Sequence, residues 1–321
     1  MDKPTLGAAI IVKNEENNIG DLLDCIKSLD RIVINDTGST DGTIEIIKMH
    51  QHKSIMLLQS QWENDFAFAR NVALGWLKTD WVLFVDADDR ITEKDMDRIR
   101  KLINNPKGKT AFYFKIVNVV QGSRQLMMQV RLWKNHEKAR FEYPVHESIS
   151  VPLNRLGYKF AHKDIAITHM GYYDPLIVKE KTARNKAIFE ANPWLFKDPN
   201  KCYQYAKILC GLNDIKTGLK YFEKAASLNP PKELELEVRT WAYKIKLKIA
   251  EDDQANDRGI EWLKSRIEAK ELLVGLVKDF PHEIEINWLY GVSRELDGRT
   301  NEAFYYYSRA LIWEPVIGCF A

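Results

Sequence analysis

Three carboxylates stand together in Asp86-Ala-Asp-Asp, directly after the apolar run Trp81-Val-Leu-Phe-Val. A short run rich in valine and aromatics suits a strand covered on both faces. Acidic groups at its C-terminal end sit at the rim where α/β sheets hold their ligands. Hard oxygen donors grouped there can bind a divalent cation, and the cation in turn a diphosphate. A second Asp-x-Asp, at Asp95 and Asp97, falls in a polar stretch that reads as helix surface and lacks that context. The chemistry expected at Asp86–Asp89 is nucleotide-linked.

Three further polar clusters fall where apolar runs end. The first run stops at Val12-Lys-Asn-Glu-Glu-Asn-Asn, a polar loop opening a helix, and the second at Asp36-Thr-Gly-Ser-Thr-Asp-Gly-Thr. Gly38 and Gly42 permit tight turns there, and Ser39 or Asp41 can cap the next helix. Asp36 is either a turn former or an acceptor for a base or ribose donor. In the third cluster, Trp62-Glu-Asn-Asp-Phe-Ala-Phe-Ala-Arg-Asn-Val-Ala, Arg70 and Asn71 interrupt an otherwise small or apolar helix. An arginine so placed needs a partner, either an anionic ligand or a strand-end aspartate.

The elements that position these clusters alternate. Strands are expected at Leu6–Val12, Arg31–Asn35, Ile55–Gln59 and Trp81–Val85, and helices at Asn18–Ser28, Thr43–Met49 and Phe66–Leu77. Strands separated by helices imply crossovers and a mostly parallel sheet. Residues 111–120 and 126–133 add two longer strand candidates. From about Pro175 the pattern turns helical, with aromatics at helix spacing. Two segments there resemble each other, one ending in Ala225-Ala-Ser-Leu-Asn-Pro and one in Ala310-Leu-Ile-Trp-Glu-Pro. Phe280-Pro281 precedes Pro315 by 34 residues, the period of a tetratricopeptide unit. Two domains are expected, 1–175 and 176–321, the second either a helical cap or a peptide-binding groove.

Composition narrows the classes. Lys plus Arg number 47 against 45 Asp plus Glu, so no strong field favours nucleic acid. Cys25, Cys202, Cys210 and Cys319 lack metal spacing or a disulfide framework. No apolar run reaches the roughly 18 residues that span a bilayer, and the start Met-Asp-Lys-Pro has no signal-peptide core. A cytoplasmic protein is the expectation.

Taken in order, the four clusters resemble the family-two, inverting glycosyltransferases of GT-A fold, over about residues 5–175. Asn64-Asp-Phe-Ala-Phe-Ala-Arg-Asn, Val145-His-Glu and His169-Met-Gly-Tyr, with the helical tail, resemble the branch that includes SunS-like peptide S-glycosyltransferases. The resemblance implies an α/β GT-A nucleotide-diphospho-sugar transferase fold followed by an all-helical tetratricopeptide-like domain. It implies that Val12, Asn14, Glu15, Asp36, Arg70, Asp86, Ala87 and Asp88 line the nucleotide site, with Asp36 reading uracil. Asp88, Asp86 and His169 would hold Mg²⁺ or Mn²⁺, and Glu147 with His146 would occupy the position of the catalytic base. Lys181 and Arg184 are candidates to clamp the diphosphate. A UDP-hexose donor and a peptide or saccharide acceptor follow as partners, with a homodimer as the assembly to test. Two departures stand out: Pro144 precedes Val145, and Glu142 is a second carboxylate near the acceptor side. SunS-like enzymes also carry more sequence at both ends. A nucleotidyltransferase would want a glycine- and basic-rich loop after the first strand, where this chain has acidic Asn14-Glu-Glu-Asn. The remaining rival is a tetratricopeptide-like adaptor on an inactive nucleotide-binding domain.

Overall fold

The computed structural model describes residues 3–50, 54–120, 123–170, 175–255 and 261–312. The chain divides into two compact units, Met1–Val178 and Lys179–Ala321.

The first unit is an eight-stranded mixed sheet in the order β3-β2-β1-β4-β7-β6-β8-β5. Its elements are β1 (Leu6–Val12), α1 (Ile19–Ile26), β2 (Arg31–Asp36), α2 (Thr43–Met49), β3 (Ile55–Gln59), α3 (Phe66–Trp76) and β4 (Trp81–Leu83). There follow β5 (Asp89–Arg90), α4 (Glu93–Asn104), β6 (Ala111–Val120), β7 (Ser123–Lys134), α5 (Ser150–Arg155) and β8 (Phe160–His169). β1 to β4 pair in parallel, as the crossovers require, and so do β6 and β8. The pairs β4–β7, β6–β7 and β5–β8 are antiparallel. This is the α/β architecture expected, with a helical region after it. β8 is an addition to the elements expected from periodicity: Ile165 and Ile167 alternate inward, but the preceding His162-Lys-Asp is polar.

Both faces of the parallel half are buried, which explains its near-continuous apolar strands. Leu6, Ala8, Ile10, Ile32, Ile34, Leu83 and Val85 face a core shared with α1 and α4; Ala9, Val33, Val82 and Phe84 face one shared with α3 and α5. α1 has eight residues and buries Ile19, Leu22, Leu23 and Ile26. Each contributes about 1.5–3 kcal/mol relative to exposure, so packing rather than intrinsic helicity holds so short a helix. Gly7 lets the segment after α3 press onto β1: a Cβ there would lie 2.7 Å from the Arg31 carbonyl and from Leu77 Cδ1.

The second unit is helical: α6 (Pro175–Ala191), a 3-10 turn at Pro193–Lys197, α7 (Pro199–Gly211), α8 (Ile215–Ser227), α9 (Lys232–Ala255), α10 (Glu261–Asp279), α11 (Ile284–Leu296) and α12 (Thr300–Ile312). The helices of the pairs α7–α8 and α11–α12 are each 13 residues long. They coincide with the two segments that resemble each other in sequence. Glycines let each pair cross closely: Gly218 approaches Ala206 and Cys210, and Gly291 approaches Ala303 and Tyr307. α9 and α10 are longer, at 24 and 19 residues, and break the repeat. Pro315 and Cys319 lie outside the described residues. No described helix is long and apolar enough to cross a membrane.

Candidate active site

The loops after β1 and β2 are stitched together by side chains. Ser39 Oγ accepts from Asn14 N (2.9 Å), and Asn14 Oδ1 accepts from Thr40 N (2.8 Å). Thr43 Oγ1 accepts from Glu15 N (2.7 Å), and the Val12 carbonyl accepts from Thr37 N (3.0 Å). Asn14 sits in the left-handed region at φ 56°, which asparagine tolerates. Asp36 is buried, and its carboxylate accepts from the amides of Gly38 (3.1 Å) and Ser39 (3.2 Å). The turn-forming role is therefore what the geometry displays; Oδ2 accepts from both amides, and Oδ1, which accepts from Ser39 alone, retains a second lone pair.

α3 carries the link between strand ends. Asp65 caps it by accepting from Phe68 N (2.8 Å), and Ala67, Ala69 and Ala73 let it lie close to the sheet. Asn35 Nδ2, at the end of β2, donates to the Ala69 carbonyl (3.0 Å). The next residue, Arg70, reaches the end of β4: its NH2 donates to Asp86 Oδ1 (2.8 Å). Its Nε donates to Glu147 Oε1 at 2.6 Å. Asn71 pins the approach to Glu147, exchanging hydrogen bonds with the Phe141 backbone at 2.9 and 2.8 Å. Glu142 and Ser148 close the loop as an antiparallel bridge. Inside it, Tyr143 (φ 76°) and His146 (φ 49°) are left-handed. Such conformations in bulky residues cost about 1–3 kcal/mol each and persist where surroundings over-determine them. Glu147 is thus half-buried against Arg70, and His146 faces solvent. The second carboxylate, Glu142, is engaged elsewhere, by Arg155 at 2.7 Å.

The run Asp86–Asp89 separates its carboxylates by partner. Asp86 offers Oδ1 to Arg70 and Oδ2 to Arg131 (3.5 Å). Burial alone would raise its carboxyl, but the two guanidiniums hold it down at about 2. Arg70 feels the reciprocal effect: burial opposes its charge, and Asp86 and Glu147 more than restore it. Both guanidiniums also lie over the Phe84 ring, each 4.5 Å from its centroid. Asp89 is fully buried and accepts from Arg131 NH1 (2.9 Å) and from Asp86 N (2.9 Å). His169 Nδ1 lies 3.0 Å from Asp89 Oδ1 and 3.3 Å from Asp88 Oδ1. The hydrogen bond to Asp89 raises the His169 imidazole, against the opposing effect of burial. Burial also raises the Asp88 carboxyl, with repulsion from Asp86 and Asp89 adding to it.

The metal trio expected from sequence was Asp86, Asp88 and His169. The group the fold assembles is Asp88, Asp89 and His169, with donor atoms within 4.8 Å of one another. Asp86 is withdrawn from it because arginines occupy both its oxygens. The donor chemistry fits a divalent cation. Across the cluster four carboxylates (Asp86, Asp88, Asp89, Glu147) face two guanidiniums (Arg70, Arg131) and the His169 imidazole, so acidic groups outnumber basic ones. Asp89 enters the sequence argument only as one of three grouped carboxylates, and Arg131 carries no role in it. Arg131 had a signal, a lone charge inside an apolar strand candidate; Asp89 had only its adjacency to Asp88. The Ala87 carbonyl receives Arg90 NH1 (3.1 Å) and so shapes the turn. Lys181 and Arg184 lie on α6.

Over 211 residues the chain is 29% identical to the SPbeta prophage-derived glycosyltransferase SunS of Bacillus subtilis (strain 168), covering 61% of this chain and 48% of that protein. It is 27% identical over 244 residues to a TPR repeat-containing protein of Synechococcus elongatus, covering 70% and 59%. The chain thus spans about half the length of the curated relatives it matches. Among solved structures, the mannosyltransferase PcManGT from Pyrobaculum calidifontis in complex with GDP-Man and Mn²⁺ superposes with a TM-score of 0.45 at 15% identity, covering 98% of this chain and 89% of that one. The Glycosyl transferase family 2 signature matches residues 8–166, a span that holds Asn14, Asp36, Asp86–Asp89 and the Arg70–Glu147 contact and stops three residues before His169. Through those residues the chain carries a glycosyl transferase family 2 domain.

Proposed function

We propose that the first unit transfers a hexose from a UDP-sugar to a nucleophilic acceptor by a single, inverting displacement, with Mg²⁺ or Mn²⁺ as cofactor. The observation that carries this reading is Arg70. One guanidinium separates Asp86, beside the cation cluster, from Glu147 on the strained loop. Donor and acceptor chemistry are thereby brought to one point.

Val12, Asn14, Glu15, Asp36 and Ala87 form the nucleotide cradle, with Asp36 accepting from the uracil. Asp86, fixed by two arginines, is the acceptor beside the ribose. Asp88 and His169 hold the cation, which when bound neutralises charge on the departing diphosphate. Glu147 keeps Oε1 on Arg70 and presents Oε2 to the acceptor, whose proton it takes as general base. The acceptor atom bonds to the anomeric carbon from the face opposite the diphosphate, and the carbon–oxygen bond to UDP breaks. His146, exposed on the same loop, borders the acceptor. The resemblance to SunS-like enzymes favours a Cys, Ser or Thr side chain of a peptide as acceptor. The paired helices of the second unit are the candidate surface for that peptide.

Intact-mass screening of candidate peptides with several UDP-hexoses tests the proposal. A hexose adduct is expected with the native protein, and none with Glu147→Gln, although Glu147→Gln still binds UDP. Transfer to a saccharide alone would move the acceptor class. If UDP with Mn²⁺ neither binds in calorimetry nor supports turnover of any UDP-hexose, the domain is a non-catalytic module.

A further inference from the structure

We propose that Asp89 is a positioning residue for the cation site, fixing the His169 ring beside Asp88 and tying it, through Arg131, to the Asp86–Arg70–Glu147 chain. The inference rests on the reading above, in which Asp88 and His169 hold a divalent cation.

The backbone dictates the meeting. β5 is two residues long, and its Asp89 lies directly opposite His169 of β8 in antiparallel register. Directly opposed residues project from the same face of a sheet, so the carboxylate and the imidazole must adjoin. Met170 N donates to the Asp88 carbonyl at 2.8 Å and extends the pairing past the site. Asp89 is 0% exposed, whereas the side chains of Asp88 and His169 are 18% and 32% exposed.

Occupancy separates Asp89 from a ligand. Its Oδ1 is taken by His169 and its Oδ2 by both Arg131 and the Asp86 amide. Direct coordination through Oδ2 would leave a buried donor unpaired, a costly outcome, and Asp89 has no exposed surface through which a cation could reach it. Asp88, by contrast, has access to solvent, and with Nδ1 turned toward Asp89 the His169 ring is left to offer Nε2 as the ligating nitrogen. A carboxylate that orients a ligating histidine raises metal affinity without touching the metal. Arg131 already faces a second carboxylate, Asp86, and the Phe84 carbonyl at 3.2 Å. Pairing with Arg131 therefore accounts for Oδ2 of Asp89, and the bond to His169 for Oδ1.

Calorimetric titration of Mn²⁺ in the presence of UDP tests this. Asp89→Asn is expected to weaken Mn²⁺ binding by about 10–100-fold. In a His169→Ala background the same change should have no further effect. Because Asp89→Asn strands a buried guanidinium, Asp89→Asn/Arg131→Met is measured beside it. That pair should recover melting temperature but not Mn²⁺ affinity. Imidazole ¹⁵N spectra of the metal-free protein add an independent readout, with the His169 tautomer fixed in the native chain and mixed in Asp89→Asn. Native-like Mn²⁺ affinity in Asp89→Asn, or affinity regained with Arg131→Met, overturns the proposal. If the native chain binds no Mn²⁺, or Asp88→Ala binds it as tightly, the cation reading itself is wrong and this one falls with it.

Discussion

Replacing Arg70 with methionine keeps most of the side-chain volume and removes one of two guanidiniums from the cluster. Removing one partner of a buried ion pair costs about 3–5 kcal/mol, much of it from the charge left behind. The low end applies here, for two reasons. Asp86 keeps Arg131 at 3.5 Å, and Glu147, whose side chain is 14% exposed, can turn toward water. Loss of the guanidinium contact with the Phe84 ring adds about 1 kcal/mol. A total near 4 kcal/mol corresponds to a fall in melting temperature of roughly 8–16 °C for a unit of this size. The acid limb supplies a second readout. Asp86 is held at about 2 against an ordinary 3.8, so its contribution is full above the ordinary value and is lost as pH falls toward 2. That depression is worth about 2 kcal/mol. In Arg70→Met the depression shrinks, and the stability of the unit should depend less steeply on pH in that range. Calorimetry at neutral pH and urea unfolding along the acid limb measure both. A shift below about 2 °C with an unchanged acid slope would refute the bridging role of Arg70.

Other outcomes follow from the same geometry. Glu147→Gln should lower transfer by about 10²–10⁴-fold, the usual worth of a general base, while UDP binding holds within error in calorimetry. Mn²⁺ affinity should weaken on going from slightly alkaline to slightly acidic solution. Asp88 and His169 both have raised proton affinity, so protons compete with the cation more strongly than at ordinary side chains. Asn71→Ala removes two hydrogen bonds to Phe141, each worth about 1 kcal/mol; faster amide exchange over 141–148 and reduced turnover are expected, with the sheet intact. In the second unit, Gly218→Ala would place a Cβ 2.5 Å from Cys210 Sγ and 3.2 Å from the Ala206 carbonyl. Overpacking of about 1–3 kcal/mol should exceed the gain in helix propensity and lower that unit's melting temperature.

The parallel half of the sheet was legible because β1, β2 and β4 are buried on two faces and the crossover helices are amphipathic. β1, α2 and β3 lie where the periodicity places them. β4 is shorter than its apolar run: Phe84 and Val85 continue inward, and Phe84 N still bonds the Arg131 carbonyl, but the chain is already turning toward Asp86. β8 and β5 were hidden for different reasons. β8 has few inward apolar residues, and a two-residue strand has no period to detect. Their pairing selects Asp89 rather than Asp86 as the neighbour of His169, so the composition of the carboxylate group could be read from sequence but its division of labour could not. Arg70 was expected to meet either a ligand or an aspartate; it meets Asp86 and, across 77 positions of sequence, Glu147. Contacts of that range depend on how the 141–148 loop is anchored, which no local pattern encodes.

Phe84 has a consequence for what substitutions the chain can tolerate. Two like charges share this ring, and its quadrupole attracts both while its bulk keeps water from either. A polar residue would hydrate the guanidiniums and slacken their hold on Asp86; an aliphatic one would exclude water but forfeit the attraction. The position therefore acts as an insulator between two cations, and drift there should be confined to aromatic side chains.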